Sequence, residues 1–166
     1  FTNKKADCKY HNENLVESFV VRDLKPGFTK ESGEVDRYII GRKVYNRGDF
    51  GYYELVKVFE GVNTKGQKTF MIVQKMLEDK EAKSYIPTKF EKESAFDKST
   101  GVYTLTQLSP KETELSYVYK AETEHWILNK EVSIPQVFSS ISKSINDLVK
   151  TVDAESTRLT RDIASN

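Results

Sequence analysis

The chain predicts an α+β fold: an antiparallel, strongly curved or barrel-like sheet of seven or eight strands, followed by one long C-terminal helix packed on it. Three observations lead there. Between Ser18 and Val132, segments rich in Val, Ile, Tyr, Phe and Thr recur, separated by Gly, Pro, Asn and Ser at the spacing of sandwiches and barrels. After Val132 there is no glycine, and apolar residues recur at helical intervals. Finally, a sheet with one dry face needs a cover, which the helix can supply.

The elements follow in chain order. Residues 1–17 are polar and read as a loosely ordered N-terminal arm, ahead of a single α+β domain over 18–166 with strands within 18–132 and the helix over 134–163. Eight strand segments are legible: Ser18 to Leu24, Asp36 to Tyr45, Tyr52 to Val62, Lys68 to Leu77, Tyr85 to Lys92, Val102 to Leu108, Thr113 to Glu122 and His125 to Val132. Pro26-Gly27 and Gly33 break the first gap. Asn63-Thr64-Lys65-Gly66 places glycine where a type I hairpin turn is followed by a positive φ. Asp97 to Gly101 and Ser109-Pro110-Lys111-Glu112 are further turn candidates. In the segment after Thr113, Leu115, Tyr117, Tyr119 and Ala121 share one face; Glu114, Ser116, Lys120 and Glu122 share the other, with Val118 as the exception.

For the helix, Ser133 and Gln136 have capping-box spacing and Pro135 falls in the first turn, where a missing N–H is harmless. Ile134, Phe138, Ile141, Ile145, Leu148 and Val152 then alternate steps of four and three, a narrow seam of coiled-coil type. Glu155 breaks the seam before Leu159 and Ile163 resume it. The last turns, with Arg158 and Arg161, are therefore expected to fray or to meet a partner.

Composition excludes more than it identifies. A length of 166 residues suits one domain. Lys and Arg number 26 against 25 Asp and Glu, a net charge of +1, so no global field draws the chain to nucleic acid or to an anionic surface. A charged fraction of 31% and a mean hydropathy of -0.60 describe a well-solvated surface, while 9 Tyr and 9 Phe argue for a folded core. The apolar runs, such as Phe70-Met71-Ile72-Val73, are too short to span a bilayer, which takes roughly 20 residues. A lone Cys8 leaves no internal disulfide and no cysteine-based zinc site. The chain begins at Phe1 rather than Met, as a removed signal segment would leave it. A secreted, periplasmic or cell-envelope setting is the expectation, with a cytoplasmic one open.

Few residues could carry chemistry. His125 stands beside Glu122 and Glu124, as a tuned base or metal ligand would, although a histidine next to an anchoring Trp126 is the plainer reading. Cys8 and His11 are three apart but lack a third ligand. Ser140-Ile141-Ser142-Lys143 has the S-x-x-K spacing without its companion triplets. No phosphate-binding, nucleophile-elbow or zinc-protease motif occurs. No cofactor and no metal is expected.

The most unusual stretch is Gly41 to Tyr53, read as a connection with three cations, three tyrosines and three glycines. Such a segment can offer amides, guanidinium groups and rings to a partner, or can pack its tyrosines on the body. Arg47-Gly48-Asp49 also spells an adhesion tripeptide, a signal that chance readily produces in a chain of this length.

The leading expectation is a non-catalytic binding or assembly protein acting through protein-protein contacts. Its contact residues are Arg42, Lys43, Tyr45, Arg47, Tyr52 and Tyr53 near the connection, and Arg158, Leu159 and Arg161 on the tail. One alternative is a carrier of a small apolar ligand in a cavity between sheet and helix, by analogy of architecture with calycin-type carriers. Another is a hydrolase-like enzyme using His125 with a neighbouring Glu. Another protein is the expected partner, a small apolar ligand the second choice, and no nucleic acid is expected.

Overall fold

The computed structural model describes residues 15–27, 33–45, 49–78, 80, 81, 84, 98–122 and, in the tail, 139, 142, 143, 145–147, 149 and 150. Six strands form one antiparallel sheet in chain order: β1 (Leu15–Leu24), β2 (Glu34–Tyr45), β3 (Asp49–Val62), β4 (Lys68–Met76), β5 (Lys98–Ser109) and β6 (Glu112–Glu122). Every neighbouring pair is antiparallel, so the sheet is a meander.

Local chemistry sets the turns. Between β3 and β4, Asn63 Oδ1 accepts from the amides of Lys65 and Gln67, both at 3.0 Å. Gly66 sits at φ 75 and its amide donates to the Asn63 carbonyl at 2.9 Å, a conformation that a Cβ would strain. At the β5–β6 turn the Lys111 amide donates to Ser109 Oγ at 3.3 Å. Both turns fall where the sequence places them.

The register sorts the side chains onto two faces. On the first, Tyr38, Ile40, Val56, Val58, Ile72 and Tyr103 form a buried cluster edged by Val20, Leu105, Leu115 and Tyr117. On the second, Ile39, Tyr53 and Leu77 form a smaller one edged by Val21, Leu24 and Leu55. The run Tyr38-Ile39-Ile40 is thus buried on both sides, as continuous apolar runs in covered strands are. Completely burying side chains of this size contributes about 1.5–3 kcal/mol each.

Near the start of β2 a polar feature ties strand to loop. Arg37 donates from Nε to Glu34 Oε1 at 2.6 Å and from Nη2 to Glu34 Oε2 at 2.8 Å. The Gly27 amide also donates to Glu34 Oε2, at 3.3 Å. The Arg37 hydrogen bonds hold the buried Glu34 carboxyl below its ordinary value.

Several expectations are corrected. The sheet is not closed: β1 and β6 stand at opposite ends of the strand order and do not pair. Alternation specifies which face of a strand is dry, not whether the first and last strands meet. Six strands replace seven or eight among the described residues; the segments Tyr85 to Lys92 and His125 to Val132 lie outside them.

No long C-terminal helix packs on the sheet among the described residues. The described positions of the tail are helical, separated by positions outside the described residues. Among the described residues both buried clusters are built from strand residues and Leu77. A seam of period 3.5 reports amphipathicity; it does not show that this sheet is its partner. Two boundaries also move. The chain joins the sheet at Leu15, inside the expected arm, and Lys98 to Gly101 belong to β5 rather than to a turn.

Candidate functional site

The first face carries more than apolar residues. Arg42 on β2 lies between Ser18 on β1 and Tyr52 on β3 in the register, and Ile40 lies opposite Glu54. Arg42 therefore reaches Glu54 diagonally, within the distance such neighbours span. Its Nε donates to Glu54 Oε2 at 2.7 Å and its Nη1 to Ser18 Oγ at 3.5 Å. The Arg42 side chain is 1% exposed and that of Glu54 13%. An ion pair so removed from water is charge-assisted but carries a heavy desolvation cost.

Beyond this pair the face runs through three rows. Val56, Gln74, Gly101 and Tyr119 align across β3 to β6; Val58, Ile72, Tyr103 and Tyr117 form the next row; Glu60, Phe70, Leu105 and Leu115 form the last. Gln74 is buried, while Phe70 is 40% exposed and Leu105, Leu115, Tyr117 and Tyr119 are half-buried. Charge and hydroxyls thus gather at one end, rings in the middle and open apolar surface at the other.

The rings are organised. Tyr103 and Tyr117 stack with centroids 4.2 Å apart, and Tyr117 and Tyr119 lie 6.1 Å apart. Gly101 makes room for them: a Cβ there would lie 3.0 Å from the Tyr117 hydroxyl and 3.2 Å from its ring. Burial pushes the Tyr117 hydroxyl well above its ordinary value, with Tyr103 and Glu54 adding to the effect. Burial also raises Tyr119, against a hydrogen bond from Ser99. For Tyr52 burial again comes first, reinforced by the Glu54 carboxylate and opposed by Arg42. All three hydroxyls therefore keep their protons at neutral pH.

Arg42, Tyr52, Glu54, Gln74, Tyr103, Tyr117 and Tyr119 thus share one face of the sheet. Among the described residues no group of three or more His, Cys, Asp or Glu could hold a metal ion. No helix among them is long and apolar enough to cross a membrane.

The residues expected from the sequence are divided by this geometry. Arg42 and Tyr52 come together on the first face, directly opposite in register. Lys43 and Tyr53 point to the second face, with Tyr53 in its buried cluster. Tyr45 ends β2 and pairs with Asp49. Gly41 to Tyr53 is thus mostly hairpin: only residues 46–48, including Arg47, separate the strands, and they lie outside the described residues, as do Arg158, Leu159 and Arg161. His125, Glu124, Cys8, His11 and Ser140 also lie outside them, and Glu122 is an exposed end residue of β6, 2.7 Å from Lys120 Nζ.

Glu54, Gln74, Tyr103, Tyr117 and Tyr119 were not among the expected contacts. Pairing the two strands about residue 47 would have revealed Glu54, because that register puts it on the same face as Arg42. No family profile, curated protein or solved structure matches the chain.

Proposed function

We propose that the protein is a non-catalytic binding protein whose first sheet face holds a small, mostly apolar ligand. The observation that supports this most is the buried Arg42–Glu54 pair, set among tyrosines at one end of an apolar face. A buried ion pair is a poor stabilising device, since well-packed apolar residues of similar volume serve as well or better. Polar groups converging on apolar surface are instead the usual composition of a ligand site.

The accessible part of the first face is its β5–β6 end, where Leu105, Leu115, Tyr117 and Tyr119 are half-buried and Phe70 is exposed. The reading through protein contacts loses Arg42 from its surface, because that side chain is enclosed. A secreted or envelope setting suits carriage of such a ligand and belongs to the same proposal.

The test exploits the two faces of β6. Titration with the neutral fluorescent probe phenylnaphthylamine should give saturable one-to-one binding. Leu115→Arg, on the first face, should abolish it, whereas Val118→Arg, on the second, should leave it intact with an unchanged circular dichroism spectrum. No saturable binding, or equal loss in both variants, would refute the proposal.

A further inference from the structure

The two outer strands of the open sheet differ in how ready they are to pair again. β1 leaves its register with β2 between Leu15 and Glu17 and again between Val20 and Arg22, and irregularities of this kind twist an edge away from further pairing. β6 instead keeps one unbroken register with β5 from Thr113 to Glu122. Among the described residues β5 is its only strand neighbour. β6 contains no proline, and the side chains that it sends to the first face, Thr113, Leu115, Tyr117, Tyr119 and Ala121, are all uncharged. Bulge, proline and inward charge, the devices that blunt an edge strand, are thus absent from it.

Its surface is also available. Glu114, Ser116, Val118 and Lys120 on the second face are exposed, Val118 at 64%, and Leu115, Tyr117 and Tyr119 on the first are half-buried.

The sequence of β6 fits itself. With a two-fold axis at Tyr117, two copies pair antiparallel over all 11 residues of the strand. Glu114 then lies opposite Lys120 of the second copy, and Lys120 opposite its Glu114, on the exposed face. Leu115 lies opposite Tyr119, Val118 opposite Ser116, and the two Tyr117 rings meet at the axis. Opposite charges and apolar or aromatic pairs across an antiparallel ladder are stabilising. Neighbouring registers do worse. An axis at Val118 sets Glu114 against Glu122, and one at Ser116 sets Val118 against Glu114 and shortens the pairing. Like-charged Glu112 and Glu122 come opposite only at the two ends, where Glu122 already lies 2.7 Å from Lys120 Nζ.

We infer that the protein self-associates as a two-fold dimer through β6, in the register that pairs Glu114 with Lys120. The first faces of the two sheets then run on across the joint, from Leu115 of one copy to Tyr119 of the other. Such a dimer needs no ligand and stands apart from the reading of the first face. Edge pairing alone buries less than the roughly 1,200 Å² of a standard interface, so association is weak, with a dissociation constant of about tens of micromolar or above, and dilute samples are monomeric.

Sedimentation equilibrium of the full chain, from about 1 µM to about 1 mM, should show a reversible monomer–dimer equilibrium. Lys120→Glu and Glu114→Lys, both at exposed positions, should each weaken dimerisation about tenfold or more, because each sets like charges opposite one another at both ends of the joint. Mixed in equal amounts, the two variants should recover the parental affinity, since every altered charge then meets its opposite. A parent that stays monomeric throughout overturns the inference, whatever else meets the β6 edge, another segment of the same chain included. Variants that dimerise as well as the parent, or a mixture that associates no better than its components, also overturn it.

Discussion

The β2–β3 and β5–β6 hairpins are both antiparallel pairs of alternating side chains, yet the first carries fully buried residues on two faces and the second on one. In β2–β3, Ile40 and Val56 are enclosed on the first face while Ile39 and Tyr53 are enclosed on the second. In β6, Leu115, Tyr117, Tyr119 and Ala121 are half-buried, and Glu114, Ser116, Val118, Lys120 and Glu122 are exposed, Val118 at 64%. The first-face cluster with its packed neighbours thus runs from Val20 on β1 to Leu115 and Tyr117 on β6, whereas the second-face cluster ends at Leu77, just past β4, with Val102 on β5 half-buried. The lasting asymmetry of the sheet is between its faces, and the buried charge lies on the continuous one.

The largest effect that would break this contrast comes from the two ion pairs. Arg42→Ala strands the Glu54 carboxylate in a mostly dry site and should cost about 3–5 kcal/mol of unfolding free energy. Lys120→Ala, at the fully exposed pair with Glu122, should produce no measurable change in a denaturant melt. Comparable losses would mean that the two hairpins do not differ as described.

Apolar truncation should repeat the pattern on a smaller scale. Ile40→Ala is expected to cost roughly 2–5 kcal/mol, through lost transfer energy and a cavity. Val118→Ala should stay within about 0.5 kcal/mol of the parent, because its side chain already meets water. Chemical denaturation of both variants measures the difference.

The smallest effect is on alkaline titration. Tyr52, Tyr117 and Tyr119 have hydroxyls raised above the ordinary value of 10.0. A raised group contributes stability that is complete below its unfolded value and is lost as pH climbs towards the folded one. Stability should therefore decline above about pH 10, and these three rings should ionise only as the fold opens. An ultraviolet titration in which all nine tyrosines ionise together near the ordinary value, with the fold intact, would contradict that.

This contrast also explains what could be read from the sequence. β6 was legible because its alternation is clean, and the two hairpin turns were legible because Asn63, Gly66 and Pro110 act within four residues of themselves. Arg42 and Tyr52 were singled out by their residue types, but in a stretch of three glycines their alternation is hidden, so they read as an exposed connection. Glu54 escaped because its role depends on register, a property of two strands and not of one. The C-terminal seam shows the opposite failure: its periodicity was real, but no pattern within a helix names the surface that it covers.

The most direct measurement of the central claim is a two-dimensional NMR titration of the chain with phenylnaphthylamine, followed at the tyrosine rings and at the backbone amides of β5 and β6. The account predicts that Tyr52, Tyr117 and Tyr119 ring signals and the Leu115 methyls shift together and saturate, while Thr104, Val118 and Lys120 side-chain signals stay in place. Shifts concentrated on Thr104, Val118 and Lys120, or no saturating shift at any ring of the first face, would contradict it.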